Sequence, residues 1–438
     1  MQNELRWLAR VFEESLARQF NGSGDGDGIA HLPPPGLPGT GTAYERFVAQ
    51  HKLNDTERLA LILALSPHIA PGFLDDLIQD KLPKAGDFPQ IGGSKGKQYR
   101  GVIPTGETAL FLFGGSGLEK RFRLQQIFGP EHLFTRKRIL LLEETPSGEP
   151  AMSGRIVLSQ EYIDLFTFGK VIRPRFSLTF PAQLIETRLD WDDLVLNPQT
   201  LKEVHELEAW VRHGKALLED WNMGRRLKPG FRALFYGPPG TGKTLTASLL
   251  GKYTGKDVYK IDLSMVISKY IGETEKNLAN LFAKAENKDW ILFFDEADAL
   301  FGKRTNVKDA HDKYANQEVA YLLQRVEDYN GLVILASNFK SNIDDAFVRR
   351  FQAIIHFPMP SAAERLKIWQ KAFPEVTRLE EGVSLPAIAQ KYELSGANIM
   401  NVVQHACLLA LEEGTKEITG EMIQKGITKE FAKEGRIG

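Results

Sequence analysis

Two short stretches carry residue types that can do chemistry on a phosphate. Residues 237–244 read GPPGTGKT, after the apolar run RALFY and ahead of the helical pattern LTASLLGKY. Glycine-rich backbone between a strand and a helix lets N–H groups close around phosphate oxygens, and the helix N-terminus adds its positive end. Gly237, Pro238, Pro239, Gly240, Thr241, Gly242, Lys243, Thr244 and Leu245 are therefore the candidate phosphate-binding residues. Lys243 would reach the β- and γ-phosphates, and Thr244 would place its hydroxyl on Mg²⁺. The second stretch is ILFFDEAD, residues 291–298, in which four apolar residues deliver Asp295 and Glu296. Desolvating unpaired carboxylates costs on the order of several kcal/mol, so a pair at the end of a buried strand implies a task. Asp295 suits the surroundings of the Mg²⁺ on Thr244. Glu296 points the other way along the strand and can polarise an attacking water. A third apolar strand, VILASN, ends at Asn338, whose amide donates and accepts and could hold that water against the γ-phosphate. ATP and Mg²⁺ are the expected cofactors, and Lys243, Glu296 and Asn338 the expected catalytic groups.

These loops need a rigid frame, and the pattern around them supplies one. From about residue 186, FRALFYG, DVYKID, WILFFD, GLVILASN and AIIHF alternate with helical segments. Runs that are apolar on both faces indicate a parallel sheet covered on both sides by helices, an α/β class. After PMPSAAER the chain reads as helices only, giving an expected large subdomain at 186–358 and a small all-helical lid at 359–438. Toward the amino terminus an amphipathic helix at 1–20 precedes a Gly/Pro/Asp-rich stretch at 21–42, expected to be a flexible linker. Residues 43–185 form an α+β region. There the helix LEKRFRLQQIF, the hairpin-like pair RILLLEETPSGEPAMSGRIVLS and the helix QEYIDLFTF suggest a winged helix.

The 438 residues suit about three domains. A net charge of -1 gives the whole chain no pull toward nucleic acid or an anionic membrane. The single cysteine, Cys407, excludes a disulfide framework within the chain and fits a reducing compartment. No apolar run reaches the roughly 18–20 residues a membrane span needs, and the charged amino terminus is unlike a signal peptide, so a cytoplasmic location is expected.

With these segments in order, residues 186–438 resemble the core of an AAA ATPase of the spastin and katanin kind. GPPGTGKT resembles its Walker A motif, ILFFDE its Walker B motif, and Asn338 stands where the family has sensor 1. The resemblance implies that LDWDDLVLN frames adenine around Asp193 and Leu194, and that Ile368 contacts the base. In ELSGANIMN, Gly396 and Ala397 would lie beside the nucleotide. In AFVRRFQAIIHF, Arg349 and Arg350 take the arginine-finger positions, adjacent rather than spaced, and either could reach the phosphate. Because that finger acts on the neighbouring copy, the resemblance implies a homohexameric ring. SKYIGETEKN resembles the pore loop of such rings. Tyr270, with Ile271 and the stem of Lys269, would grip a threaded polypeptide through apolar contact, or Tyr270 would pack on its own protomer. A histidine-containing segment, KRTNVKDAHDKYANQ, would lie near it.

Over its whole length the chain also resembles AAA ATPases encoded with phage-tail-like contractile injection systems, through RGVIPTGETALFLFGG, FPAQLIETRLDWDDLVL and FFDEADALFGKRTNVKDAHDKYANQEVAYLLQRVE. A protein substrate, such as a particle component or cargo, is the implied partner. The competing reading is a winged-helix motor on nucleic acid, carried by EKRFRLQQ and TRKRI and opposed by the near-neutral whole. A non-enzymatic or protease-coupled scaffold is opposed by the intact Asp295 and Glu296 and by the lack of an H-E-x-x-H motif.

Overall fold

The computed structural model describes residues 1–21, 32–37, 39, 41–79, 88–114, 118–177, 180–263, 273–286, 288–297, 320–338, 349–433 and 435. Lys269, Tyr270, Ile271 and the histidine-containing segment lie outside the described residues. The backbone divides into two compact units, Met1–Arg173 and Pro174–Gly438.

In the first unit, helix α1 (Gln2–Asn21) presents Trp7, Leu8, Val11, Phe12 and Leu16 at helical spacing. All five are buried in the same core as Leu59–Leu65 of α3 (Asp55–Ile69), with α2 (Ala43–His51) contributing Tyr44, Phe47 and Val48. A capping box starts α3: Asn54 Oδ1 accepts from the Glu57 N–H at 2.9 Å, and Glu57 accepts from the Asn54 N–H at 2.8 Å. Arg58 then donates to the buried carboxylate of Glu4, which also accepts from Tyr44 Oη at 3.2 Å. The expected separation of α1 by a flexible linker does not hold for the described residues. The apolar face of α1 completes this core. The Leu32 carbonyl accepts from Trp7 Nε1 at 2.7 Å and the Pro35 carbonyl from Arg58 at 2.8 Å, so 32–37 is tied down as well. Further along, α4 (Phe73–Gln79), the pair β1 (Ser94–Lys95) and β2 (Val102–Ile103), and α5 (Gly106–Gly114) are followed by α6 (Leu118–Gln125) and α7 (Leu133–Arg136). The pair β3 (Leu140–Leu142) and β4 (Ile156–Leu158) is antiparallel and leads into α8 (Gln160–Phe168), the elements anticipated between 118 and 168.

The second unit is built on six strands. They are β5 (Ala182–Leu184), β6 (Phe231–Tyr236), β7 (Val258–Ile261), β8 (Ile291–Phe294), β9 (Leu332–Ser337) and β10 (Ala353–His356), in the spatial order β10-β6-β9-β8-β7-β5. The first five run parallel, and β5 closes the edge antiparallel to β7. The expected boundary at 185/186 therefore moves to 173/174, because β5 belongs to this sheet. Helices α9 (Pro198–Glu219) and α10 (Lys243–Thr254) share one core with Phe235, Phe293 and Ile334. Helix α11 (Glu273–Ala285) and helical residues 320–328 share another with Leu234, Phe294 and Leu335, on the opposite face. Consecutive residues of each central strand feed different cores, which is why those strands read as unbroken apolar runs.

The lid consists of α12 (Ala362–Ala372), α13 (Leu385–Lys391), α14 (Gly396–Glu412) and α15 (Gly420–Lys433) around Trp369, Ile399, Val402 and Ile423. It is not wholly helical: β11 (Arg378–Leu379) and β12 (Glu417–Ile418) form a two-residue parallel pair, too short to register as a sequence pattern.

Candidate active site

The site begins where β6 ends. At Gly237, with φ +147°, an added Cβ would lie 2.0 Å from the Phe357 carbonyl oxygen, so only glycine can leave the strand beside the end of β10. Gly240 and Gly242 also hold positive φ, and Thr241 Oγ1 donates to the Pro238 carbonyl at 2.8 Å. The loop turns directly into α10, whose first N–H groups have no partner inside the helix and point at the space ahead of it. The Lys243 ammonium is buried at the neck of this loop and donates to the Gly237 carbonyl at 2.6 Å and the Pro238 carbonyl at 3.0 Å.

Two strands over, β8 delivers the carboxylates. Asp295 Oδ1 accepts from the Glu296 N–H at 3.0 Å, and Oδ2 accepts from Lys260 Nζ, on β7, at 2.6 Å. Glu296 is exposed and sits in the left-handed region at φ +50°, a conformation that costs about 1 kcal/mol or more for a residue with a Cβ. The Ala297 N–H then donates to the Ala336 carbonyl at 2.8 Å, tying the turn after the acids to β9, which Asn338 follows directly. Lys243, Thr244, Asp295, Glu296 and Asn338 line one cleft of about 540 Å³, within the size range of small-molecule and cofactor sites.

The far wall of the cleft is apolar and comes from two directions. Asp193, Leu194 and Leu196 arrive from the segment ahead of α9, and Ile368, Met400, Gly396 and Ala397 from the lid. Asp190 and Asp193 cap the short turn between them. Lys252 of α10 donates to Asp190 at 2.5 Å and to the Leu189 carbonyl at 2.8 Å. Those hydrogen bonds, together with one from Tyr253, hold the Asp190 carboxyl below the usual range. The lid meets this wall through Lys371, which donates to the Asp192 carbonyl, and meets the phosphate loop through the Ala397 N–H, which donates to the Gly240 carbonyl at 3.2 Å.

The cleft thus gathers Pro239 to Leu245, Asp193, Leu194, Asp295, Glu296, Asn338, Ile368, Gly396 and Ala397. Gly237 and Pro238 are not in the lining, and their carbonyls accept from Lys243. Lys252, Lys260 and Lys371 escaped sequence reasoning. Lys371 had a signal: it lies one helical turn after Ile368, on the same face.

Arg349 and Arg350 stand apart from the cleft lining. Arg350 is paired with Glu327 at 2.6 Å, beside Arg232, which donates to the Glu327 carbonyl at 2.9 Å and to Gln352 Oε1 at 3.2 Å. Burial lowers the pKa of Arg232, with Glu327 and Asp328 acting in the opposite sense. Arg349 is exposed and makes no ion pair among the described residues.

The donor set fits a magnesium nucleotide. A glycine cradle that side chains would fill, a buried lysine and a helix N-terminus suit phosphates. Among the described residues no cluster of three His, Cys, Asp or Glu forms a metal cage. A Mg²⁺ ion brought by a nucleotide needs only one or two protein oxygens, with water and phosphate completing its shell.

Residues 233–359 match the family model described as "ATPase family associated with various cellular activities (AAA)". The Cell division cycle protein 48 homolog of Archaeoglobus fulgidus is 31% identical over 252 residues, 56% of this chain and 32% of that protein. The 26S proteasome subunit RPT4 of Saccharomyces cerevisiae is 30% identical over 210 residues, 46% of this chain and 48% of that protein. The Proteasome-activating nucleotidase of Saccharolobus islandicus is 30% identical over 211 residues, 46% and 53% respectively. The chain thus spans from about a third to half the length of these relatives. A phosphate loop, two strand-end acids and a lid over one cleft, with this match across the strands that carry them, identify an AAA ATPase domain in this chain, with homologues across the AAA+ family.

Proposed function

We propose that the chain is an ATP hydrolase that works as a ring, of six copies by resemblance, and converts hydrolysis into the remodelling or threading of protein. The observation that carries this reading is the single cleft holding Lys243, Thr244, Asp295, Glu296 and Asn338 under the lid. The loop N–H groups and Lys243 would bind the triphosphate, while Thr244 and Asp295 would hold Mg²⁺, which when bound would neutralise charge on the phosphate oxygens. Glu296 orients and polarises water, and Asn338 positions it.

Both arginines are exposed, but Arg350 is paired with Glu327 in its own chain, whereas Arg349 makes no ion pair among the described residues. We therefore assign Arg349 as the finger reaching the neighbouring copy, with Arg350 as the strut that fixes its backbone. Protein as substrate is supported by relatives whose names tie them to the proteasome, and by the resemblance at Lys269, Tyr270 and Ile271. The finer assignment is to a contractile injection particle, with action on a structural component or cargo in the cytoplasm. It rests on the sequence stretches that resemble ATPases encoded with such systems.

The test is sedimentation and ATP turnover of wild-type and Glu296→Gln protein, with and without ATP and Mg²⁺. Nucleotide-dependent rings, turnover in wild type alone and protein retained by the ATP-bound variant are expected. A monomer that hydrolyses ATP at the same rate would overturn the shared site.

A further inference from the structure

Lys260 interrupts a strand whose other residues, Val258, Tyr259 and Ile261, are almost fully buried. Side chains alternate across a strand, so Lys260 shares a face with Val258, and Asp295 shares a face with Phe293. Val258 and Phe293 both pack in the core formed with Ala247 and Leu250 of α10. Lys260 and Asp295 therefore project from the sheet on the α10 side, where Thr244 lies in the first helical turn, and they meet at 2.6 Å. The lysine side chain keeps 39% of its accessible surface and the aspartate 26%. A half-exposed pair of this kind contributes little to stability. A β-branched residue would suit this strand position better. Stability alone gives a weak reason for a cation here.

We infer that Lys260 is a resident cation that positions Asp295 and competes with Mg²⁺ for its carboxylate, so that it sets the magnesium concentration the nucleotide site requires. The inference rests on the nucleotide reading above and deepens it. Both Asp295 oxygens already have donors within the chain, Lys260 on one and the Glu296 N–H on the other. A divalent ion brought to Thr244 by a nucleotide must share that carboxylate with the ammonium. Lys260 thereby fixes the aspartate rotamer before the ion arrives and weakens the field that holds the ion afterwards.

The experiment measures binding of a fluorescent ATP analogue as a function of Mg²⁺ concentration in the Glu296→Gln background, with and without Lys260→Met or Lys260→Arg. Removing one unit charge a few ångströms from a divalent ion, at near-water screening, should lower the half-saturating Mg²⁺ about five- to tenfold. Lys260→Arg keeps the charge and should stay within about twofold of the parent, and analogue binding in EDTA should change little in either variant. Lys260→Gln serves as the second neutral variant should Lys260→Met fail to fold, with folding checked by circular dichroism. A magnesium curve that is unmoved, or moved to higher concentration, while the parent binds the analogue would overturn the competition and leave the nucleotide reading standing. Absence of analogue binding by the parent at every magnesium concentration would overturn both.

Discussion

Gly240 touches both the phosphate loop and the lid, so substituting it tests whether nucleotide affinity depends on their contact. Its φ is +75°, and a Cβ there would lie 2.5 Å from Ser395 Oγ and 2.8 Å from the Ala397 Cβ. Carbon atoms pack best at about 3.5–4.0 Å, so the overlap with Ala397 is about 1 Å. Two costs follow in Gly240→Ala. The left-handed backbone costs about 1–2 kcal/mol whether or not the lid is seated. The overlap costs about 1–3 kcal/mol, and only while Ser395 and Ala397 press against the loop. Gly255, the C-cap of α10, isolates the first cost, since its φ is +70° and nothing lies within 4 Å of its added Cβ. Both variants should melt below wild type. Only Gly240→Ala should weaken ATP binding, by about 5- to 150-fold if the overlap energy opposes lid closure. Equilibrium titration of a fluorescent ATP analogue with the two variants side by side decides the matter. Equal affinity for both would mean that the Gly240 to Ala397 contact takes no part in holding nucleotide.

Further substitutions probe the two site arginines and the buried ion pair of the first unit. Arg349→Ala should leave ATP binding intact and abolish turnover in the assembled protein, whereas Arg350→Ala should also lower the melting temperature, since Glu327 loses its partner beside Arg232. Binding isotherms, turnover and melting curves for both variants would show a reversed assignment as turnover surviving in Arg349→Ala alone. In the first unit, Arg58→Met strands the buried Glu4 carboxylate and should cost about 3–5 kcal/mol, while the double change Glu4→Gln with Arg58→Met should recover a large part of that. Urea unfolding of the full chain reads both, and a double variant no more stable than the single one would show that the charge of Glu4 is not the source of the loss.

The central sheet was legible because β6, β8 and β9 are apolar on both faces and end in a residue type that turns or does chemistry. Asp295, Glu296 and Asn338 are read from strand ends, and the phosphate loop from its place between β6 and α10. What escaped depends on pairing that no local pattern encodes. Strand β5 has three residues, one of them exposed, and becomes a strand only because β7 offers an edge. Helix α1 reads as amphipathic whether it is free or packed. Its place in the first core follows from Arg58, a residue of α3 that needs Glu4 once both are buried.

The two arginines show the same limit at the site. Side by side in sequence they are equivalent, and both are exposed; what distinguishes them is Glu327, more than twenty positions upstream, which pairs with Arg350. Lys260 is the sharper case, because a lysine among Val258, Tyr259 and Ile261 looks like an imperfection in a strand pattern. It gains a purpose only when the parallel register sets Lys260 against Phe293 and brings its ammonium to the carboxylate two residues further on. An interruption in a buried strand one neighbour away from the acids is therefore a place to look for a group that tunes them.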